Sequence, residues 1–146
     1  MKISFGVLIL LFLVSILGPI IYPGDPYEIH LAVKPIAPNL SYLFGTDLLG
    51  RDILGRIIHG TRYSLWIGLI ATILSIGIGA FIGILAGYKK SADLILNPLI
   101  TLFQAFPYLL LAIAIASSLK PGILSTILAL SISSWANIAR LIRSEV

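Results

Sequence analysis

The sequence predicts an all-α, polytopic membrane protein with about four transmembrane helices and one interfacial amphipathic helix. Hydrophobic residues make up 58% of the 146 residues and charged residues 11%, whereas soluble domains average about 25% charged residues. The mean hydropathy is +1.05, and uncharged apolar runs long enough to cross a bilayer recur along the chain. The net charge of +4 lacks the basic clustering that nucleic-acid binding needs, so we expect the cations to face lipid headgroups.

The first element is an apolar run at residues 3–21 that contains no charge. Its length matches a helix that crosses a bilayer, which needs about 20 residues. A secretory signal peptide is the alternative, since Lys2 precedes the run. The run ends in Gly-Pro and Tyr-Pro pairs rather than in small-residue cleavage chemistry, which favours an uncleaved first transmembrane segment over residues 1–24.

Residues 25–62 are predicted to form an extracytoplasmic linker that leads into an amphipathic helix. Pro26, Pro35 and Pro38, with Pro23 just before the segment, break any helix in its first part. In the second part apolar residues recur at spacings of three and four, with charged residues on the opposite face. Thr46 or Asp47 would cap the start of this helix, and Asp52 and Arg56 would form an i,i+4 ion pair. We expect the helix to lie along the outer membrane surface.

Three further spans are predicted over residues 63–88, 94–119 and 123–139. Gly79 and Gly83 have the small-xxx-small spacing that lets membrane helices approach closely, although a glycine-rich span also produces such a pair by chance. The ten lysines and arginines divide equally between the two sides of the membrane, but five of them crowd into very short segments: Lys2, Lys89, Lys90, Arg140 and Arg143. This density predicts that both ends of the chain lie in the cytoplasm.

Two polar features of these spans are candidates for function. Pro107 lies in the middle of the third span and is predicted to kink the helix, which frees a backbone carbonyl. Gln104 lies one turn earlier and could bond that carbonyl or face a pore. Arg140 and Arg143, followed by Glu145, end the last span in a charged flank that we predict to be cytoplasmic.

The motif GTDLLGRDILGRIIHGTRYSL runs from residue 45 to residue 65. It closely resembles, without a gap, the signature of the C-type permease subunit of dipeptide, oligopeptide and nickel ABC importers. The positions that match that family's motif are Gly45, Thr46, Asp47, Leu49, Gly50, Arg51, Asp52, Arg56, Gly60 and Arg62. LAGY at residues 85–88, FPYLLLAIAI at residues 106–115 and ARLIRSEV at residues 139–146 resemble the same family. Pro98 and Thr101 depart from it, because the family commonly carries an Arg and an Asp there.

The resemblance implies a transmembrane permease subunit of an ATP-driven importer for peptides or nickel, located in the cell membrane. It implies as partners a second permease subunit, cytoplasmic ABC ATPases and an extracytoplasmic substrate-binding protein. Family members continue through a cytoplasmic coupling helix and two further spans, so residues 63–146 are expected to be a partial permease domain from a fragment, a split gene or a decayed permease. The alternative is a small multi-spanning scaffold or regulatory protein without transport activity.

No catalytic, metal or cofactor site is predicted. His30 and His59 lie far apart, and neither has the spacing of metal ligands. The phosphate-binding motif GxxxxGK[ST] is absent from the sequence, so ATP hydrolysis would reside in partner subunits. The chain contains no cysteine, which excludes thiolate metal sites and cysteine nucleophiles.

Overall fold

The computed structural model describes residues 2–25, 28 and 35–146. It contains five helices: α1 (Lys2–Ile21), α2 (Ile53–Tyr88), α3 (Lys90–Ala105), α4 (Tyr108–Ser118) and α5 (Ile123–Glu145). The predicted all-α class is confirmed. Pro26, Tyr27 and residues 29–34 of the predicted linker, which include His30, lie outside the described residues. The chain divides into two compact units, Met1–Trp66 and Ile67–Val146.

The distribution of buried side chains is that of a membrane protein. The buried positions hold mostly small residues, such as Ala71, Ser75 and Ala139, while large apolar side chains such as Phe81 (70% exposed) and Leu94 (79% exposed) point outward. Lipid tails are as apolar as these side chains, so exposure to lipid costs nothing, and small residues at contacts let helices approach closely. Three helices are long and apolar enough to cross a membrane, and the bent pair α3–α4 would make a fourth span.

In the first unit, α1 packs against the beginning of α2. The contact is close at Gly18, where a Cβ atom would lie 2.5 Å from the Cγ2 atom of Ile58. At Gly55 a Cβ atom would lie 3.2 Å from the ring of Tyr22, the residue that follows α1. Small residues at these two points therefore set the distance between the two helices in this unit.

The predicted separate amphipathic helix is wrong in its bounds. The helix begins at Ile53, not at Thr46 or Asp47, and it continues without a break to Tyr88. The start is late because Gly45 and Gly50 have φ angles of +73°, which a helix cannot contain. The helix does not end at Arg62 as predicted, because no proline separates the charged segment from the apolar one that follows. Residues 53–62 are therefore the beginning of α2 rather than an independent surface helix.

In the second unit, α2 and α5 touch along a face of α2 that we call the glycine face, formed by Gly79, Gly83 and Gly87. A Cβ atom would lie 2.7 Å from the carbonyl oxygen of Trp135 at Gly79, and 2.6 Å from that of Ala139 at Gly83. The three residues are spaced by four, so they lie on one side of the helix. Only glycine lets the backbones come this close.

The third predicted span is two helices. α3 ends at Ala105 and α4 begins at Tyr108, and their axes differ by 92°. Pro107 lacks the N–H that would continue the helix, and it restricts Phe106, which has the extended angles φ −88° and ψ 137°. The sequence predicts a kink at Pro107, and the structure has a complete break there.

Candidate functional site

The matching motif residues 45–52 form a compact loop, which we call the Asp47 turn. The Thr46 backbone N–H donates to the Ile36 carbonyl (3.0 Å), and the Thr46 hydroxyl accepts from the Ile36 N–H (2.8 Å). Thr46 also pairs with Asp52 in an isolated antiparallel bridge. Gly45 must be glycine, because a Cβ atom would lie 2.5 Å from the Ile36 carbonyl oxygen. These contacts fix both ends of the turn.

The carboxylate of Asp47 is the centre of the turn. One oxygen accepts from the backbone N–H groups of Leu49 (2.9 Å) and Arg51 (3.0 Å), which is the local bonding that Asp favours in turns. The other oxygen accepts from the guanidinium groups of Arg51 (Nε, 2.9 Å) and Arg56 (Nη1, 2.7 Å). One acid thus joins two arginines of the motif.

The electrostatic consequence is a strongly ionised Asp47. Burial of the carboxylate acts to raise its pKa, but hydrogen bonds from the Arg51 side chain and from the N–H groups of Arg51 and Leu49 outweigh that effect. They lower the pKa of Asp47 to about 2. Asp47 is therefore ionised at neutral pH.

The predicted ion pair between Asp52 and Arg56 is wrong, because Arg56 binds Asp47 instead. Asp52 is the residue before α2, and its carboxylate accepts from the Leu54 N–H (3.1 Å) as a helix cap. It also accepts from the Tyr22 hydroxyl, which raises the pKa of Tyr22. Asp52 therefore ties the end of α1 to the start of α2 within the first unit.

Two of the matching positions do not join the turn. Gly60 has open space around it, and Arg62 is exposed without a hydrogen-bond partner among the described residues. His59 instead contacts the Tyr22 carbonyl through its Nε2 atom (3.3 Å). The structure thus brings together eight of the ten matching positions, from Gly45 to Arg56, and leaves two apart on α2.

Polar side chains also meet inside the second unit. The Ser75 hydroxyl donates to the Ser131 carbonyl (3.2 Å) and contacts the Ser134 hydroxyl, so two helices are joined beside the glycine face. Gln104 donates to the Asn137 side chain (2.9 Å) and to the Ala136 carbonyl (3.4 Å). Gln104 therefore bonds the neighbouring helix α5 and not a carbonyl freed by Pro107.

The predicted charged flank is part of α5, which continues to Glu145. Arg143 makes two parallel hydrogen bonds to Asp93, from Nε (2.5 Å) and from Nη2 (2.8 Å). Arg140 donates to the Thr101 hydroxyl (3.1 Å), at one of the positions that depart from the resembled family. The flank thus holds the beginning of α3 against the end of α5.

The Asp93–Arg143 pair and the Ser75–Ser131–Ser134 cluster were not predicted. A sequence signal for the second exists: Ala71, Ser75 and the glycine face form a run of small residues at every fourth position. No such local signal links Asp93 with Arg143, since 50 residues separate them. Among the described residues, no group of three metal-binding side chains comes together.

The fold and its buried small residues define a polytopic, multi-pass α-helical membrane protein. Residues 75–146 match the family described as binding-protein-dependent transport system inner membrane component. This match and the similarity to the permeases of such systems confirm the resemblance predicted from the sequence.

Three relatives illustrate the similarity. The chain is 39% identical to the dipeptide transport system permease protein DppC of Haemophilus influenzae, over 92% of this chain and 48% of that protein. It is 34% identical to DppC of Bacillus subtilis, over 96% of this chain and 44% of the relative. It is 30% identical to the oligopeptide transport system permease protein AmiD of Streptococcus pneumoniae, over 97% of this chain and 47% of that protein. The chain spans about half the length of these curated relatives.

Proposed function

We propose that this chain forms part of the membrane passage of an ATP-driven importer for peptides. The observation that supports this is the similarity over more than nine-tenths of the chain to permeases named for dipeptide and oligopeptide transport. Nickel is the other substrate that the sequence motif suggested, and none of these three relatives is named for it. Peptides are therefore the substrate class that we propose.

The partners follow from the same proposal. A second permease subunit would complete the passage, cytoplasmic ATPases would supply energy, and a substrate-binding protein would deliver the peptide. In this arrangement the Asp47 turn faces outward, where the binding protein docks, and the Asp93–Arg143 pair faces the ATPases. The chain itself would hydrolyse no ATP, because its sequence lacks the phosphate-binding loop.

The function is tested by deleting the gene in its native host, in an amino-acid auxotroph from which other peptide importers have been removed. We expect growth to fail when the required amino acid is supplied as a dipeptide and to persist when it is supplied free. Reintroducing the gene should restore growth. Unchanged peptide-dependent growth after deletion would contradict the proposal. If deletion abolished only the uptake of radioactive nickel, the substrate would be nickel and not peptides.

The orientation of the chain in the membrane is tested separately with single introduced cysteines, since the chain has no cysteine of its own. The Ser41→Cys variant should react with a membrane-impermeant thiol reagent in intact cells, and the Ser91→Cys variant should react only after lysis. The reverse pattern would show that the Asp47 turn faces the cytoplasm.

A further inference from the structure

A cleft of about 300 Å³ opens between α2, the first residue of α4 and α5 in the second unit. Four hydroxyl-bearing residues and four apolar ones line it: Thr72, Ser75, Tyr108 and Ser134, together with Gly68, Ala71, Leu130 and Ile138. We call this feature the hydroxyl cleft.

Two of the four hydroxyls have no protein partner among the described residues. Ser75 and Ser134 contact each other, and Ser134 also donates to the Leu130 carbonyl (2.7 Å). Thr72 and Tyr108, in contrast, make no hydrogen bond with another described residue. Most hydroxyls of α5 donate to the backbone carbonyl four residues earlier, as Ser133 does (2.7 Å). A Thr72 hydroxyl without a hydrogen bond is therefore unusual in this unit.

The hydroxyl cleft lies at the depth of the hydrocarbon. Thr72 is 17 residues before Lys89, which corresponds to about 25 Å along the helix. A bilayer core is about 30 Å thick, so with Lys89 at one interface Thr72 lies inside the core, about 5 Å from its opposite boundary. An unpaired hydroxyl is unfavourable in contact with lipid tails, because they offer no hydrogen bond.

The broken backbone beside the cleft is a second feature that needs either water or neighbouring protein around it. Tyr108 follows the break at Phe106 and Pro107, about 22 Å along α3 from Lys90. Non-helical backbone at membrane depth occurs where it is buried in protein or lines a water-filled cavity. Phe106 is 55% exposed and Tyr108 is 40% exposed, so the break is not buried within this chain.

We infer that the hydroxyl cleft is filled with water and is this chain's wall of the peptide passage. Thr72 and Tyr108 provide hydroxyls that donate to and accept from the backbone amides of a passing peptide. Every peptide has these groups, so uncharged hydroxyls contact peptides of different sequence without selecting a side-chain charge. The inference rests on the proposed function, which it extends by naming residues that contact the substrate.

The first test measures water at Thr72 by the reactivity of single cysteines. Thr72→Cys places a thiol in the hydroxyl cleft, and Ile73→Cys is the matched control, because Ile73 is the next residue, is 59% exposed and points about 100° away. Both variants are expressed from the native gene in the native host and treated with a membrane-impermeant thiol reagent. We expect the Thr72→Cys variant to react at least tenfold faster, and a dipeptide in excess to slow that reaction. Equal, slow reaction of both variants would overturn the inference.

The second test measures contact with the peptide by uptake. Thr72→Val keeps the shape and removes the hydroxyl, whereas Thr72→Ser keeps the hydroxyl. We expect the valine variant to raise the KM for dipeptide uptake several-fold and the serine variant to match the unaltered protein, with equal amounts of all three in the membrane. Equal KM values for all three would show that the hydroxyl does not contact the peptide.

The two proposals fail in different ways. If the unaltered protein supports dipeptide uptake but the Thr72→Cys and Ile73→Cys variants react alike, only the assignment of the hydroxyl cleft is wrong. If the Thr72→Cys variant reacts rapidly but the unaltered protein supports no peptide uptake, the proposed function is wrong. The inferred contact between Thr72 and the peptide is then wrong as well.

Discussion

The Asp47 turn and the glycine face are held by opposite means. In the Asp47 turn, one carboxylate accepts hydrogen bonds from two backbone N–H groups and two guanidinium groups. At the glycine face the three glycines have no side chain to bond with, and the contact exists because those side chains are missing. Each of these regions lies within its own compact unit.

The difference reflects what each region gains by packing. A polar loop can hold its shape through charge-assisted hydrogen bonds, which are stronger than those between neutral groups. Two apolar helices in lipid gain nothing by burying apolar surface, so close contact between backbones must supply the attraction instead. Deleting a charge should therefore damage the first region, and adding a methyl group should damage the second.

The largest effect is expected for Gly83→Leu at the glycine face. A Cβ atom at this position would lie 2.6 Å from the Ala139 carbonyl oxygen, and backbone atoms cannot move aside as a flexible side chain can. Overpacking of this kind typically costs about 1–3 kcal/mol, and the longer side chain adds to it. We expect the amount of protein in the membrane to fall several-fold, measured by immunoblotting of isolated membranes.

Gly77→Leu is the matched control for that substitution. Gly77 lies in the same helix, and a Cβ atom added there would have no neighbouring atom within 4 Å, so the leucine side chain meets open space. Its protein level should remain close to that of the unaltered chain. Equal losses for both variants would show that α2 tolerates no leucine in this segment, and would contradict a specific contact with α5.

The second largest effect is expected for Asp47→Asn in the Asp47 turn. The amide oxygen can still accept from the Leu49 N–H, but Arg51 and Arg56 lose their carboxylate partner. We expect trypsin to cleave after these arginines roughly three- to tenfold faster, a range that allows for screening of partly exposed ion pairs by water. Cleavage is measured on the protein in membranes, with fragments identified by mass spectrometry.

Glu145→Gln is the control for that measurement, because it removes the same charge at an exposed site without a hydrogen-bond partner among the described residues. It should leave cleavage in the Asp47 turn unchanged. If Glu145→Gln accelerates that cleavage as much as Asp47→Asn does, the net charge of the protein and not the hydrogen bonding of Asp47 controls the turn.

Sequence reasoning was most accurate where a single local property decides the structure. Long uncharged runs predicted the spans, and Pro107 predicted the place where the third of them is interrupted, since both depend on near neighbours in the chain. It was wrong at residues 45–52, where periodic apolar residues favoured a helix but two glycines and Asp47 formed a turn. There the hydrogen bonds from backbone N–H groups to the Asp47 side chain stabilise a turn in place of a helix.

Contacts between distant residues could not be predicted in the same way. Arg56 has an aspartate four residues before it, but it binds the one nine residues before it, because the turn brings Asp47 closer. Gln104 has no sequence neighbour that suggests Asn137, 33 residues away. Such pairs depend on how α3 and α5 pack, which a single sequence does not encode locally.

A smaller effect is expected for the Gln104–Asn137 hydrogen bond, which joins α3 to α5 by a side-chain contact of 2.9 Å. In a double-mutant cycle of Gln104→Leu and Asn137→Leu, we expect a coupling free energy of about 0.6 kcal/mol and at most about 1.7 kcal/mol, as for other hydrogen bonds between membrane helices. The free energy of unfolding is measured by denaturant titration in detergent micelles. The control cycle combines Gln104→Leu with Ser144→Ala, whose hydroxyl bonds within its own helix. A coupling no larger than in that control would show that the two side chains do not stabilise the helix contact.

The contribution of the Asp47 carboxylate is also expected to disappear when Asp47 is titrated. Its pKa in the folded protein is about 2, below the ordinary value of 3.8, so the stability that the carboxylate provides is complete above about pH 4. That stability is lost as the pH falls through the folded pKa, because the protonated acid no longer attracts Arg51 and Arg56. Pepsin is active over this range, and Leu48 in the turn is 86% exposed and open to cleavage. The ratio of the pepsin cleavage rate of the Asp47→Asn variant to that of the unaltered protein should exceed one at about pH 4 and approach one as the pH falls to about 2, and taking this ratio cancels the pH dependence of pepsin itself. A ratio that stays constant over this range would mean that the Asp47 carboxylate does not hold the turn.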